Sequence, residues 1–364
     1  MTRRPIVITA LAALLPLAAV AQTPAQPSPY KILQTAKVGG DGGFDYVTAD
    51  SDNRDLYVAR SGPAGHIGVF NLDTFAQIGD IPATSAHGAA VDDATGHGFA
   101  TSKPITEFDA KTFAVIKKID VQGNPDGYLV DSYNHRYYDL SHSAPNVTVI
   151  DTKDGSIVGT IDLGGAPEQS VTDGRGHIYI DLEDKDAIAV VDANTLKVTA
   201  KYDLSSKGGG CAGLAIDAKN NILFAACRDK NNMIILSATD GHIITDLPIG
   251  VGCDGAVFNP ATNEAFSSQG DGTLTVIKEN SPTSFVVEQT VKTPVRAKTI
   301  TLDAKTGHLI LITAEYAPPP AAPAAAPAPP ATGATPAEGP RPGGYGRGRG
   351  SIVPGSFSII VVGK

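Results

Sequence analysis

The strongest constraint on the fold is a repeat of about 42 residues that runs through the chain. Each copy contains a short apolar run that ends at an acid or an amide and is followed by a polar turn. We call these terminal residues the anchors; they are Asp50, Asp92, Asp131, Asp173, Asp217, Asn259 and Asp303. Successive anchors are 42, 39, 42, 44, 42 and 44 residues apart. A period of this length is typical of repeat architectures, including propellers.

Each repeat has the pattern of four β-strands. The run before the anchor is followed by a second strand such as "IYIDL", a third such as "VTVIDTKD" and a fourth such as "SIVGTIDL". A four-stranded unit cannot bury both of its faces alone, but neighbouring units in a ring cover them. The chain also has 39 glycines and hardly any long segment with helical periodicity. The sequence therefore predicts an all-β fold, a single seven-bladed β-propeller with four-stranded antiparallel blades.

The two ends of the repeat array predict how the ring closes. After "HLILITAE" the seventh repeat runs into Pro/Ala/Gly-rich sequence, residues 317–355, and then ends with "SFSIIVVGK", which supplies a third strand but no fourth. The isolated strand pattern "YKILQTAKV" at residues 30–38 matches the missing strand. We therefore expect the N-terminal strand to complete the last blade, which would hide edge strands that an open propeller exposes.

The first 21 residues have the features of a secretory signal peptide. Arg3 and Arg4 precede an apolar run at residues 6–20, and Ala19-Val20-Ala21 has the small-x-small pattern of a cleavage site. The run is short for a membrane span. We expect a periplasmic or secreted protein without a membrane span after cleavage. The predicted organisation is a signal peptide at 1–21, a linker at 22–29 and a propeller at 30–364, with a disordered insertion at 317–355 inside the last blade.

The charge of the mature chain weakens a nucleic-acid role. Without the two arginines of the leader, 27 basic side chains stand against 38 acidic ones, a net charge of −11. Such a surface repels phosphate backbones unless a basic patch intervenes. We expect a monomer, because closed propellers are commonly monomeric and no exposed apolar stripe stands out in the sequence.

One fixed position in the repeat carries the candidate site. Five residues before the anchors stand Asp45, His87, Asp126, Glu168, Ala212, Asp254 and Lys298. Six of the seven are ionisable, and equivalent repeats would place them around one mouth of the central channel. We call these six residues the channel-mouth ring.

The channel-mouth ring suggests two chemistries. As a metal site, its candidate ligands are Asp45, His87, Asp126, Glu168 and Asp254. Carboxylates alone suit Ca²⁺, whereas a histidine with carboxylates suits Zn²⁺ or Mn²⁺. As a catalytic site, its candidates are His87, Glu168 and Lys298. Crowded acids raise one another's pKa, so Glu168 or Asp126 could act as a general acid or base, with His87 as an alternative proton carrier. The simpler alternative is that these residues line a water-filled channel.

The cysteines predict one disulfide. Cys211 and Cys227 flank the turn "DAKNN" symmetrically, so they lie opposite each other on antiparallel strands. Directly opposed Cα atoms are about 4.5 to 5.5 Å apart, within the disulfide range. We expect this pair to be bonded in an oxidising compartment. A bridge between Cys211 and Cys253 is the second possibility, and Cys253 is otherwise left over.

Several segments resemble a known family. The strand "LYVAR", the blade "NVTVIDTKDGSIVGTIDLGGAPE", the segment "SSQGDGTLTVIKENSP" and the terminal "VPGSFSIIVVGK" are similar to bacterial exported YVTN-repeat, or YncE-like, β-propeller proteins. The resemblance covers nearly the whole mature chain. It implies an exported seven-bladed propeller but does not fix a function. Most members have no assigned activity, one branch is described as DNA-binding, and related propellers include dehydrogenase subunits and lactonases.

Two classes of function follow from these observations. The favoured class is an exported binding or scaffolding propeller that holds a small molecule, a divalent metal or a protein loop at the channel mouth. The other class is a hydrolase or lyase, metal-dependent or acid/base and lactonase-like, that uses the same ring. The sequence has no G-x-S-x-G, H-E-x-x-H or phosphate-loop motif, which favours the first class. No role is assigned to the other histidines, His142 among them.

Overall fold

The computed structural model describes residues 29–40, 42–61, 65–83, 85–318 and 351–364. These residues form 28 β-strands. The predicted signal peptide and all but the last residue of the predicted linker lie outside them. Within the described ranges, no helix has the length and apolar character needed to cross a membrane.

The strands group into seven four-stranded sheets, blades 1 to 7. The N-terminal strand is β1 (Lys31–Lys37). Blade 1 contains β2 (Gly43–Asp50), β3 (Asp55–Ser61), β4 (His66–Asn71) and β5 (Gln77–Pro82). Blade 2 contains β6 (Ala89–Asp92), β7 (His97–Ala100), β8 (Ile105–Asp109) and β9 (Val115–Ile119). Blade 3 contains β10 (Pro125–Asp131), β11 (Arg136–Ser141), β12 (Val147–Asp151) and β13 (Ile157–Ile161).

The remaining blades follow the same order. Blade 4 contains β14 (Pro167–Thr172), β15 (His177–Leu182), β16 (Ala187–Asp192) and β17 (Lys197–Asp203). Blade 5 contains β18 (Cys211–Asp217), β19 (Ile222–Cys227), β20 (Asn232–Ser237) and β21 (Ile243–Pro248). Blade 6 contains β22 (Cys253–Asn259), β23 (Glu264–Gln269), β24 (Thr273–Ser281) and β25 (Ser284–Lys292). Blade 7 contains β26 (Ile300–Asp303), β27 (His308–Thr313), β28 (Ser358–Gly363) and β1.

The predicted seven-bladed propeller is confirmed. The first strand of each blade contacts the first strands of its neighbours, and β26 of blade 7 contacts β2 of blade 1, so the ring is closed. The N-terminal strand completes the last blade as predicted. It pairs antiparallel with β28, from Lys31 opposite Gly363 to Lys37 opposite Ser358. The apolar core lies between adjacent sheets, as where Leu214 and Ile234 of blade 5 meet Tyr179 and Ile188 of blade 4.

The anchors recur because each one builds the same turn. In every blade the anchor's side-chain oxygen accepts a hydrogen bond from the backbone N–H two residues later, at distances of 2.7 to 3.2 Å. This is the Asx turn, for which aspartate and asparagine are preferred. It joins the first strand of the blade to the second. The anchors therefore recur about every 42 residues because each blade needs this turn at the same place.

The predicted Cys211–Cys227 disulfide is confirmed. The two cysteines are register partners on β18 and β19, beside an irregularity of the pairing at Ala212. Their Cα atoms are 3.7 Å apart, closer than in a regular pair. Cys253 is a buried free thiol. The alternative bridge between Cys211 and Cys253 is thus not formed.

The edges of the predicted insertion continue blade 7. Tyr316 forms an antiparallel bridge with Ile352, and the N–H of Ala317 donates to the carbonyl of Ser351 at 2.8 Å. These contacts bring the two ends of the segment together beside β27 and β28. The rest of it, residues 319–350, lies outside the described residues.

Candidate functional site

The six residues of the channel-mouth ring lie at the same end of the innermost strands. Asp126, Glu168 and Asp254 are each the second residue of their strand, and Asp45 is the third residue of β2. The remaining two, His87 and Lys298, stand two residues before β6 and β26. Their side chains form contacts between blades, which are described next.

On one side of the ring, Asp126 lies between two imidazoles. Nδ1 of His87 is 3.1 Å from one carboxylate oxygen of Asp126 and 2.7 Å from Oδ2 of Asp45. The other oxygen of Asp126 is 3.2 Å from Nε2 of His142, which the sequence analysis did not assign to the site. The hydrogen bond that the protonated imidazole of His87 donates to Asp45 raises the pKa of His87. Burial raises the pKa of Asp126, although the neighbouring imidazoles oppose this effect.

Glu168 joins this side of the ring to the other. Its carboxylate accepts a hydrogen bond from the hydroxyl of Tyr46 at 3.2 Å, and its second oxygen is 3.7 Å from a guanidinium nitrogen of Arg228. Burial raises the pKa of Glu168 to about 9, against the opposing positive charge of Arg228. At neutral pH this carboxyl group therefore holds a proton.

The opposite side of the ring is rich in cations. Arg228 contacts Glu183 at 3.0 Å and also forms an ion pair with Asp254, which in turn pairs with Lys298. Arg228 directly follows β19 in the same blade as Ala212, the one uncharged position of the repeat pattern. Blade 5 thus contributes its charge to the mouth from its second strand.

Among the residues that the structure describes, two overlapping groups have the geometry to hold a metal ion. One is Asp45, His87 and Asp126, and the other is Asp126, His142 and Glu168; in each group the possible ligand atoms all lie within 4.8 Å of one another. Four of the five predicted metal ligands belong to these groups. The fifth, Asp254, belongs to neither and is engaged by Arg228 and Lys298. Metal binding itself stays a prediction.

Two tyrosines cross the channel below the ring. Tyr46 of blade 1 reaches Glu168 of blade 4, which lies on the far side of the circle of seven blades. Tyr128 of blade 3 hydrogen-bonds Thr48 of blade 1 and meets Tyr46 edge-on, with 5.6 Å between ring centroids. Tyr128 can pass blade 2 only because residue 88 is glycine, since a Cβ there would overlap its ring.

Gln169 of blade 4 connects blades 5 and 6 on the other side of the channel. Its amide oxygen accepts from the backbone N–H groups of Leu214 and Ala256, at 2.9 and 3.1 Å, and its amide nitrogen donates to the carbonyl of Ala256. One blade 4 side chain therefore satisfies backbone groups of blades 5 and 6. Together with the tyrosines it forms a layer of side chains that link blades below the ring, which we call the floor of the channel.

The residues missed by the sequence analysis follow a second pattern. His142, Glu183 and Arg228 each lie ten or eleven residues after an anchor, just past the second strand of their blade. Because the first two strands of a blade are antiparallel, the end of the second strand lies next to the start of the first strand and therefore beside the ring. A search at this offset would have found all three.

A buried acid lies close to Asp126. Asp139 of β11 is fully buried, and within the part of the chain that the structure describes neither of its carboxylate oxygens has a hydrogen-bond partner. Burial raises its pKa far above the ordinary value, and the charge of Asp126 adds to the shift. Asp139 is therefore protonated in the folded protein at pH values where it ionises in the unfolded chain.

This difference predicts a pH dependence of stability. Because the folded state holds a proton that the unfolded state releases above its pKa of about 4, the contribution of Asp139 falls as pH rises. Between pH 5 and 8 the unfolding free energy of the wild type should fall with pH more steeply than that of Asp139→Asn. The difference between the two slopes should be up to about 1.4 kcal/mol per pH unit. Urea denaturation of the chelator-treated protein at several pH values measures it. Asp120→Asn, an exposed acid, serves as the control. Parallel curves for the wild type and Asp139→Asn would contradict the prediction.

Comparisons with known proteins support the fold. No family model matches the chain, and no curated protein matches it in sequence. A chain in a structure described as the crystal structure of the mitotic checkpoint complex is similar, with a TM-score of 0.66 and 11% identity over 83% of this chain and 95% of that one. At this identity the likeness shows the β-propeller fold alone. Altogether 1685 chains of known structure match, so the fold is too widespread to indicate one function.

Proposed function

We propose that this chain is an exported propeller of the YVTN-repeat, YncE-like type that binds a divalent transition-metal ion at its channel mouth. Export is supported by the pattern of residues 1–21, and the family by the segments quoted above. The metal site is carried by one observation. Asp126 lies between the imidazoles of His87 and His142 and belongs to both groups of convergent ligands.

The donor set indicates the class of metal. Each group offers one imidazole and two carboxylates, a donor set that suits Zn²⁺ or Mn²⁺ better than Ca²⁺, which prefers oxygen ligands alone. Binding would require a neutral His87 and ionised Asp126 and Glu168. Because the pKa of each of the three is raised, the protons compete with the metal. Affinity is therefore expected to increase with pH.

Metal titration of the chelator-stripped chain tests this proposal. Isothermal titration calorimetry with Zn²⁺, Mn²⁺ and Ca²⁺ should show tight binding of Zn²⁺ or Mn²⁺. Asp126→Asn keeps the shape of the side chain but removes the shared ligand charge, so we expect affinity to fall about 100-fold, the upper range for loss of a metal-supporting group. Asp254→Asn is the matched control, because Asp254 lies in the same ring outside both groups. Absence of heat and of any change in melting temperature with all three metals would refute the site.

A hydrolase or lyase is the second candidate. It is favoured by Glu168, which holds a proton at neutral pH and could act as a general acid, with His87 as base and Lys298 as a stabilising charge. Lactones, esters and phosphoesters are the substrates to screen. Turnover that is lost in Glu168→Gln but retained in Asp120→Asn would support an enzyme. If the wild type turns over none of these substrates, the binding function remains.

A further inference from the structure

A cavity opens at the end of the channel opposite the ring. Strand β2 begins near Asp45 of the ring and ends at Asp50, about 16 Å further along at the usual rise of a strand. Around that end lies a cavity of about 590 Å³, lined by blades 1, 2, 3 and 7. We call it the far-mouth cavity. Its volume is within the range of small-molecule sites.

The far-mouth cavity combines apolar walls with an acidic rim. Leucine, valine and alanine side chains form the walls, among them Leu129 and Leu302. Asp50, Asp52 and Asp93 also line it. Lys305 is the one cation among the described residues that line it, and its ammonium is 4.0 Å from Asp52. The acids outnumber the cation, so the cavity has a net negative charge.

Asp93 connects this cavity to a second one. It also lines a cavity of about 720 Å³ between blades 1 and 2, together with Asp55 and Asp109. Partial burial and the neighbouring charges of Asp50 and Asp52 raise the pKa of Asp93. A bound cation would relieve this repulsion. Among the described residues, the groups that could chelate a metal lie at the ring, which favours an extended organic cation here over an inorganic ion.

Tyr57 supplies an independent indication of a ligand. Its side chain lines the far-mouth cavity and is only 1% exposed, yet its hydroxyl has no hydrogen-bond partner among the described residues. The acids that act on this hydroxyl are Asp55, Asp50 and Asp93, the same acids that line the two cavities. Buried polar groups normally have partners. A polar atom of a bound molecule would complete this one.

We propose that the far-mouth cavity binds a small organic amine. The protonated amine lies against Asp93 and Asp52, its aliphatic or aromatic body lies against Leu129 and Leu302, and a polar atom reaches the hydroxyl of Tyr57. This site is separate from the channel-mouth ring, so it does not depend on the metal proposal.

A matched pair of probes tests the amine site in the full chain. 2-Phenylethylamine carries the charge, and 2-phenylethanol has the same ring without it. By calorimetry we expect the amine to bind at least about tenfold more tightly than the alcohol, a difference of about 1.4 kcal/mol. Asp93→Asn should weaken the amine about tenfold without affecting the alcohol, and raised salt should have the same selective effect.

Two further variants separate a ligand role from a structural one. Lys305→Gln removes the competing cation, so the affinity for the amine should increase. Tyr57→Phe removes a hydroxyl that has no partner in the protein and should therefore keep the melting temperature. Asp126→Asn, at the other mouth, should leave amine binding unchanged. Equal affinity for amine and alcohol, no binding of either at about 10 mM, or wild-type amine affinity in Asp93→Asn would overturn the proposal.

Discussion

A chain that starts after Lys37 is expected to lose the closed ring and to melt far below the intact protein. Strand β1 is the fourth strand of blade 7 and pairs with β28 through six register partners. Without it, the backbone of β28 is left as an unpaired edge. Such edges pair with other chains, so we expect aggregation as well as instability.

Tyr30 adds to the contribution of β1. Its buried ring meets Phe266 edge-on, and its hydroxyl donates to Glu264 at 2.5 Å. Its backbone N–H and carbonyl both bind the side-chain amide of Gln289, at 2.8 and 2.7 Å. About six hydrogen bonds at about 1 kcal/mol each, with about 2 kcal/mol for burying an aromatic ring, give a loss of at least roughly 5 kcal/mol. This is a large share of the stability of a typical protein.

Thermal denaturation and size-exclusion chromatography of two truncations measure this effect. The control chain begins at Pro29 and retains Tyr30 and β1, whereas the test chain begins at Val38. A third variant, Tyr30→Ala in the control chain, isolates the contribution of the aromatic ring. If the test chain were monomeric and melted at the temperature of the control, the role of β1 in closing the ring would be disproved.

Replacing Arg54 with methionine is expected to cost roughly 3 to 5 kcal/mol of stability at pH 7, the usual cost of breaking a buried ion pair. Two nitrogens of Arg54 in blade 1 bind the two carboxylate oxygens of Asp303 in blade 7, at 2.8 and 2.9 Å. The side chain of Asp303 is only 3% exposed. The substitution would leave this carboxylate buried without its partner at the junction where the ring closes.

The effect should depend on pH. Burial opposes the ionisation of Asp303, but hydrogen bonds from Arg54 and Thr306 outweigh it and lower its pKa below the ordinary value. A carboxylate with a lowered folded pKa stabilises the protein above its unfolded pKa of about 4, and this contribution is lost as the pH falls. The cost of Arg54→Met should therefore be smaller at pH 3 than at pH 7.

Urea denaturation at both pH values measures this dependence, and a double-mutant cycle with Asp303→Asn isolates the pair. Arg54 also contacts Asp73, whose side chain is 61% exposed. Asp73→Asn is thus a control for loss of an exposed partner and should cost less than about 1 kcal/mol. A cost below this value for Arg54→Met at pH 7 would show that the pair contributes little to closure.

The sequence predicted the features that depend on local geometry. The blades could be counted because every anchor forms its turn with the next few residues, as Asp50 does with Asp52. The Cys211–Cys227 pair could be predicted because one hairpin fixes its register. The channel-mouth ring followed from the equivalence of the first strands.

The remaining parts of the site depend on how blades meet across the channel. Tyr46 and Glu168 are 122 residues apart, and no periodicity relates a tyrosine of blade 1 to an acid of blade 4. The contact of Gln169 with Ala256 spans 87 residues for the same reason. Arg228 replaces a missing charge from a different strand, which a search at one fixed offset does not detect.

The floor of the channel has a consequence for transport. A solute that enters at the ring meets Tyr46, Tyr128 and Gln169, whose hydrogen bonds hold blades together. The two ends of the channel are therefore better suited to hold separate solutes than to pass one solute through. Tyr128 is part of this floor. It lines the far-mouth cavity and contacts Tyr46, which is hydrogen-bonded to Glu168. Ligands at the two ends are therefore expected to bind independently, without exchange of solute between them.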